Sequence, residues 1–166
     1  MEDITQVVTP KKRPNFITVL CILSFIGSGF GLLQPIYQYA TFDSSYPEKV
    51  DQIEKGIEQM EDAGMDSGTF YDMAVNGLIA LEKTKDNLTP MTAANVVFAL
   101  FSLIGVFLMF KLKKNGFYLY TVTNLFWMLV PLYFIGPEVG MIFLGFGAAI
   151  TILFIILYAV NLKHME

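Results

Sequence analysis

Long hydrophobic runs alternate with charged segments along this chain. Four of the runs contain no Asp, Glu, Lys, Arg or His, and they extend over Phe16–Tyr39, Pro90–Phe110, Gly116–Ile135 and Val139–Asn161. A helix needs about 20 apolar residues to cross the hydrocarbon core of a bilayer, and its backbone must satisfy its own hydrogen bonds there. The pattern therefore predicts an all-α membrane protein, a bundle of four transmembrane helices at residues 16–39, 90–110, 116–135 and 139–161.

The longest polar stretch, residues 41–89, separates the first two runs. Ser45 and Glu48 have the spacing of a capping box, which marks a helix start, and Gly64 is a typical helix stop. Apolar residues recur at helical intervals on both sides of this glycine, at Val50, Ile53, Ile57 and Met60 and again at Phe70, Met73, Ala74, Gly77, Leu78 and Leu81. We expect a two-helix hairpin whose apolar faces pack together. Packing of these faces on the bilayer or on a partner protein is the alternative.

The positions of the basic residues predict the orientation, because Lys and Arg accumulate on the cytoplasmic side of membrane helices. They flank one set of predicted helix ends, at Lys11, Lys12, Arg13, Lys111, Lys113, Lys114 and Lys163. Residues 1–15, the loop 111–115 and residues 162–166 are therefore expected in the cytoplasm. Residues 41–89 and the turn 136–138 are then expected outside it.

Composition agrees with a membrane location and narrows the possible functions. Hydrophobic residues make up 54% of the chain and charged residues 16%, compared with about 25% charged residues in soluble domains. Residues 41–89 hold four lysines and eleven carboxylates, a net charge of 4 − 11 = −7, which disfavours a nucleic-acid partner. With one His and one Cys, the chain offers no Ser-His-Asp or Cys-His site. We expect a protein that is not an enzyme and holds no metal or cofactor.

The stretch Gly27–Gly31, GSGFG, lies inside the first predicted span. A dinucleotide fingerprint needs G-x-G-x-x-G between a strand and a helix, and neither condition is met. On a helix, small residues that allow close packing share one face, namely Ser24, Gly27, Ser28 and Gly31. We expect this face to pack on the fourth span, which offers Gly145, Ala148 and Ala149. The second span, with Asn95, Ala99, Ser102 and Val106 on one face, is the alternative partner.

Three uncharged polar residues distinguish the second and third spans: Asn95, Thr121 and Asn124. Such groups either form hydrogen bonds between helices or line the path of a substrate. We favour hydrogen bonds between helices, because ion-coupled transport usually requires ionisable residues within the spans.

The segment Lys11–Leu33, KKRPNFITVLCILSFIGSGFGLL, resembles the first span of small four-helix membrane proteins of Bacteroidota-type bacteria. The later KKNGFYLY, Lys113–Tyr120, has a similar character. The resemblance implies a protein of the bacterial cytoplasmic (inner) membrane. It supplies no functional residues, because that group has no assigned role.

These patterns together predict a non-enzymatic interaction or accessory subunit. Besides the lipid bilayer, it would contact a protein partner or a second copy of the chain, through its transmembrane helices or residues 41–89. The alternative is a transporter or channel for a small molecule or lipid, with a polar path near Asn95, Thr121 and Asn124.

Overall fold

The computed structural model of the protein describes residues 14–166, apart from the side chains at positions 138, 142, 143 and 146. Most of the predicted cytoplasmic segment 1–15, with its basic cluster, lies outside the described residues. Six α-helices and a short 3-10 turn follow one another: α1 (Asn15–Asp62), α2 (Thr69–Asp86), α3 (Leu88–Phe110), α4 (Lys114–Trp127), α5 (Leu129–Phe134), α6 (Pro137–Val160) and Leu162–His164. The predicted all-helical class is confirmed, since 89% of the structure is helix and the described residues contain no strand.

Helix α1 is a single helix of 48 residues and about 72 Å. The capping box predicted a separate helix starting near Ser45, and this is wrong. Ser45 lies inside α1, where its hydroxyl donates to the carbonyl oxygen of Phe42 at 3.3 Å. Pro35 and Pro47 each remove one backbone hydrogen bond, yet the helix continues through both. The first predicted span and the first predicted external helix therefore form one continuous element.

Helix α1 ends at a glycine, and α2 returns beside it. Gly64 has a φ of +74°, and the N–H of Met65 donates to the carbonyl of Met60 at 2.7 Å, the pattern of a Schellman cap. Near this turn the hydroxyl of Tyr71 donates to Glu61 at 2.8 Å, a bond that raises the pKa of the Tyr71 phenol. At the far end of α2, the Lys85 ammonium lies 4.2 Å from the centre of the Tyr46 ring. These two contacts show that α1 and α2 run antiparallel.

The closest helix contact joins α3 and α4, which are connected by a short turn. A Cβ atom on Gly105 would lie 2.9 Å from the backbone nitrogen of Tyr120. A Cβ on Gly116 would lie 2.5 Å from the backbone nitrogen of Met109. Only glycine allows such approaches, so this pair of helices is held backbone against backbone.

The third hydrophobic run is divided, and it is followed by a tight turn. Pro131 has no N–H to donate to the carbonyl of Trp127, and the helix is interrupted at Met128 between α4 and α5. The turn into α6 contains Gly136 at a φ of +108°. Helix α2 contacts this turn, because the ammonium of Lys83 donates to the carbonyl oxygen of Ile135 at 2.7 Å.

Three helical segments of the described chain are long and apolar enough to cross a membrane: α1, α3 and the segment Lys114–Phe134. Helix α6 contains a shorter apolar segment, Gly147–Val160. Large apolar side chains are exposed along the first segment, including Phe30 and Leu33. Water disfavours such a surface, whereas lipid accommodates it.

The α3–α4 contact generates a stability prediction. Gly116→Ala should lower the free energy of unfolding by about 2 kcal/mol, because the new methyl group would overlap the backbone of α3. Gly56→Ala is the matched control: no atom lies within 4 Å of its Cβ position, so it should stabilise the helix by about 0.5–1 kcal/mol. Unfolding in detergent followed by circular dichroism measures both. Equal stability of the two variants would contradict the contact.

Candidate functional site

The predicted contact between the glycine faces of α1 and α6 is not formed. Among the described residues outside each glycine's own stretch of helix, no atom lies within 4 Å of a Cβ placed on Gly27, Gly31 or Gly145. Helix α1 packs mainly against α3, so the alternative partner is the observed one. Ala148 is half-buried and Ala149 is exposed, which also shows that this part of α6 does not pack tightly on α1.

Helix α6 is instead held near its two ends. At one end, the hydroxyl of Tyr158 donates to the hydroxyl of Ser24 at 2.9 Å, and its ring lies edge-on to Tyr120 at 5.4 Å. At the other end, a Cβ on Gly140 would lie 2.8 Å from the carbonyl oxygen of Pro131, so α6 touches α5 closely there. Between these attachments, described residues of both α1 and α6 line a cavity.

Hydrogen bonds link α1, α3 and α4 along one wall of this cavity. The hydroxyls of Ser28 and Ser102 are 2.9 Å apart. The amide of Asn124 donates to the hydroxyl of Ser102 at 3.2 Å and to the carbonyl oxygen of Tyr120 at 2.8 Å. The favoured interpretation of Asn124, hydrogen bonding between helices, agrees with this arrangement. Asn124 also lines the cavity, so the two interpretations are compatible.

Asn95 and Thr121 differ in their surroundings. The indole N–H of Trp127 donates to the side-chain oxygen of Asn95 at 3.0 Å, and both residues line the cavity. The hydroxyl of Thr121 is buried, and no described group forms a hydrogen bond with it. Thr121 is not among the residues around the cavity, so the structure brings together two of the three predicted polar residues.

The cavity has two chambers. The first chamber, about 370 Å³, lies between α1, α3, α4 and α6. The described residues that line it carry no formal charge, and many offer hydrogen bonds: Ser24, Ser28, Gln34, Gln38, Asn95, Ser102, Tyr120, Asn124, Trp127 and Thr151. The glycines Gly27 and Gly31 also line it, so they provide space for a cavity and not for another helix.

The second chamber, about 680 Å³, lies beside α2 and is mostly apolar. Among the described residues around it, Lys49 is the one with a formal charge. Both chambers are lined by the same five residues: Gln34, Pro35, Gln38, Asn95 and Trp127. We call these five residues the neck. The shared lining places the two chambers side by side.

Three residues of the site were not predicted from the sequence: Gln34, Gln38 and Trp127. A signal existed for the two glutamines: they lie four residues apart and continue the face of Gly27 and Gly31 toward the end of the first span. Trp127 carried no such signal, because its link to Asn95 joins residues 32 positions apart.

The described lining of the first chamber is suited to hydrogen bonding with a ligand. The first chamber holds amide, hydroxyl and indole groups, none of which exchanges protons near neutral pH. Pockets for small molecules typically measure about 300–1,000 Å³, and each chamber falls in this range. No protein-family model, curated protein or solved structure matches the chain, so its function is inferred from this geometry.

Proposed function

We propose that this chain is a non-enzymatic membrane protein that binds a membrane-dissolved small molecule or lipid in the cavity between its helices. The observation that carries the proposal is the shared neck, which lies between a chamber whose described lining has hydrogen-bonding groups but no formal charge and a larger chamber that includes Lys49. Uncharged hydrogen-bonding groups fit a ligand that offers neutral hydrogen-bonding groups. The same path would serve transport of that ligand.

The cavity between α1 and α6 supports lateral entry of the ligand from the bilayer. Gln34 and Gln38 line both chambers and are exposed on the surface of α1. Exposed amides in a hydrophobic helix are unfavourable against hydrocarbon, and a ligand in the gap would offer them partners. A molecule dissolved in the bilayer could reach the first chamber without crossing the outer surface.

The proposal includes a four-span topology, with α6 as the fourth span beside the three long apolar segments. We place it in a bacterial inner membrane with both termini and the α3–α4 turn in the cytoplasm. The outer half of α1 and α2 then form the extracytoplasmic hairpin. From Tyr39 to Asp62 this hairpin would extend roughly 35 Å beyond the first span, at 1.5 Å per residue.

Cysteine labelling tests the topology. In intact cells, Ser67→Cys at the hairpin turn should react with a membrane-impermeable maleimide, and Lys113→Cys should react only after lysis. The parent chain, in which Cys21 is buried within α1, measures the background labelling by the maleimide. Labelling of Lys113→Cys in intact cells would overturn the orientation.

A cavity-filling substitution tests ligand binding. Gly31→Leu should weaken binding at least about tenfold, or 1.4 kcal/mol, because Gly31 lines the first chamber and no described atom lies within 4 Å of its Cβ position, so the new side chain would occupy part of the chamber. Gly29→Leu is the control, since this glycine is equally open and lies outside both chambers. Trp127, the single tryptophan, lies in the neck and reports occupancy through its quenching by 11-bromo-1-undecanol. Non-saturable quenching that is identical in both variants would contradict the proposal.

An accessory role remains a second candidate function, and the hairpin turn supports it. Phe70 is 80% exposed there, with Met65 and Met73 beside it, in a segment proposed to lie in water. Exposed apolar groups of this kind often mark a protein contact.

A photo-crosslinking amino acid at Phe70 tests that role in native membranes. We expect a discrete adduct with another protein or a second copy of the chain. The same probe at the exposed Gln59 is the control, and equal patterns at both positions would reject a specific contact.

A further inference from the structure

We propose that Lys49 binds the anionic end of the ligand, so that the second chamber selects an amphiphile with one carboxylate or phosphate group on an apolar chain. This inference rests on the proposed function, because it names the chemical class that the same cavity accepts. Lys49 lines the second chamber together with Phe42 and Ile53 from the same face of α1. The neck residues Pro35 and Gln38 continue that face toward the first chamber.

Lys49 differs from the other lysines of α1 and α2 in the partners of its ammonium group. Lys55 forms an ion pair with Asp51 at 2.8 Å, and Lys83 donates to the carbonyl oxygen of Ile135. The Lys85 ammonium lies over the Tyr46 ring. Lys49 forms no hydrogen bond or ion pair with the described residues, and its ammonium lies 6.0 Å from the ring centre of Phe42, at the outer limit of a cation–π contact.

The lining of the second chamber favours an anion at this lysine. No Asp or Glu occurs among the described residues around the chamber, although residues 41–89 hold eleven carboxylates. Gln52, one turn from Lys49, lines the same chamber, and one hydrogen of its amide is donated to Glu48 at 3.1 Å. An ammonium in a lining without a described carboxylate is suited to a carboxylate or phosphate, since charge-assisted hydrogen bonds are roughly twice as strong as neutral ones.

The apolar residues around the second chamber would contact the hydrocarbon chain of the ligand. Ala80, Leu81, Met91 and Leu144 are among the residues opposite α1 in the second chamber. Burial of a hydrocarbon chain gains about 25 cal/mol per Å² removed from water, a term that a small soluble anion lacks. The eleven carboxylates of residues 41–89 also repel soluble anions. An anionic amphiphile in the bilayer avoids this barrier by entering between α1 and α6.

Quenching of Trp127 by matched brominated amphiphiles tests the inference in lipid nanodiscs. The probes are 11-bromoundecanoate, 11-bromoundecyl phosphate and the neutral 11-bromo-1-undecanol, at about pH 9, where a carboxylate is ionised. For the parent protein we expect both anionic probes to half-saturate at three- to tenfold lower concentration than the alcohol. Lys49→Gln should remove this preference and leave the affinity for the alcohol unchanged. Lys55→Gln, which removes an ion-paired surface lysine, should keep it.

Comparison of the probes separates the possible outcomes. If only one of the two anions is preferred and the preference needs Lys49, the inference holds and the ligand class narrows to that carboxylate or phosphate. If all three probes bind alike, or if Lys49→Gln and Lys55→Gln behave alike, the role of Lys49 is overturned while ligand binding stands. If no probe quenches saturably and Gly31→Leu has no effect, both the inference and the proposed function fail.

Discussion

The attachment of α6 at its two ends determines the form of this molecule. Near one end, the hydrogen bond from Tyr158 to Ser24 ties α6 to α1, and near the other the contact of Gly140 with Pro131 ties it to α5. Had the helices packed along their middle, Gly27, Gly31 and Gly145 would have closed the space between them. With α6 attached in this way, the described glycine faces stay apart, and Gly27 and Gly31 line the first chamber.

The chemistry of the walls follows from the low polarity of the surroundings. An ionised side chain is costly in hydrocarbon, whereas a neutral amide or hydroxyl is tolerated when it has a partner. Ser28, Ser102 and Asn124 satisfy one another across three helices, and Asn95 accepts a hydrogen bond from Trp127. The same bonds that hold the helices together therefore give the first chamber its polar character. Among the described lining residues, a formal charge occurs at Lys49, in the second chamber beside α2.

Local patterns along the chain predicted the positions of the helices well and the contacts between the helices less well. The uncharged runs indicated the apolar segments of α1, α3 and α4–α5, because the length of a membrane helix is set by the bilayer. The capping box at Ser45 was misleading, since a hydroxyl inside a helix can bond to a preceding carbonyl as well as start a new helix. The glycine face of α1 was correctly recognised as a surface of small residues, but composition cannot distinguish a face that packs from a face that lines a cavity. The Trp127–Asn95 bond and the position of Lys49 depend on tertiary contacts and had no local signal.

The continuity of α1 has a mechanical consequence. The helix has no break between Ser24, which is tied to α6, and Asp62 at the hairpin turn, and Pro35 in the neck lies between these points. At 1.5 Å per residue, the arm from Pro35 to Asp62 is about 40 Å and the arm from Pro35 to Ser24 about 16 Å. If α1 tilts as a lever about the neck, a 5 Å displacement at the hairpin turn becomes a movement of about 2 Å at Ser24. A force applied at the hairpin turn would thus produce a smaller displacement and a larger force where α1 meets α6.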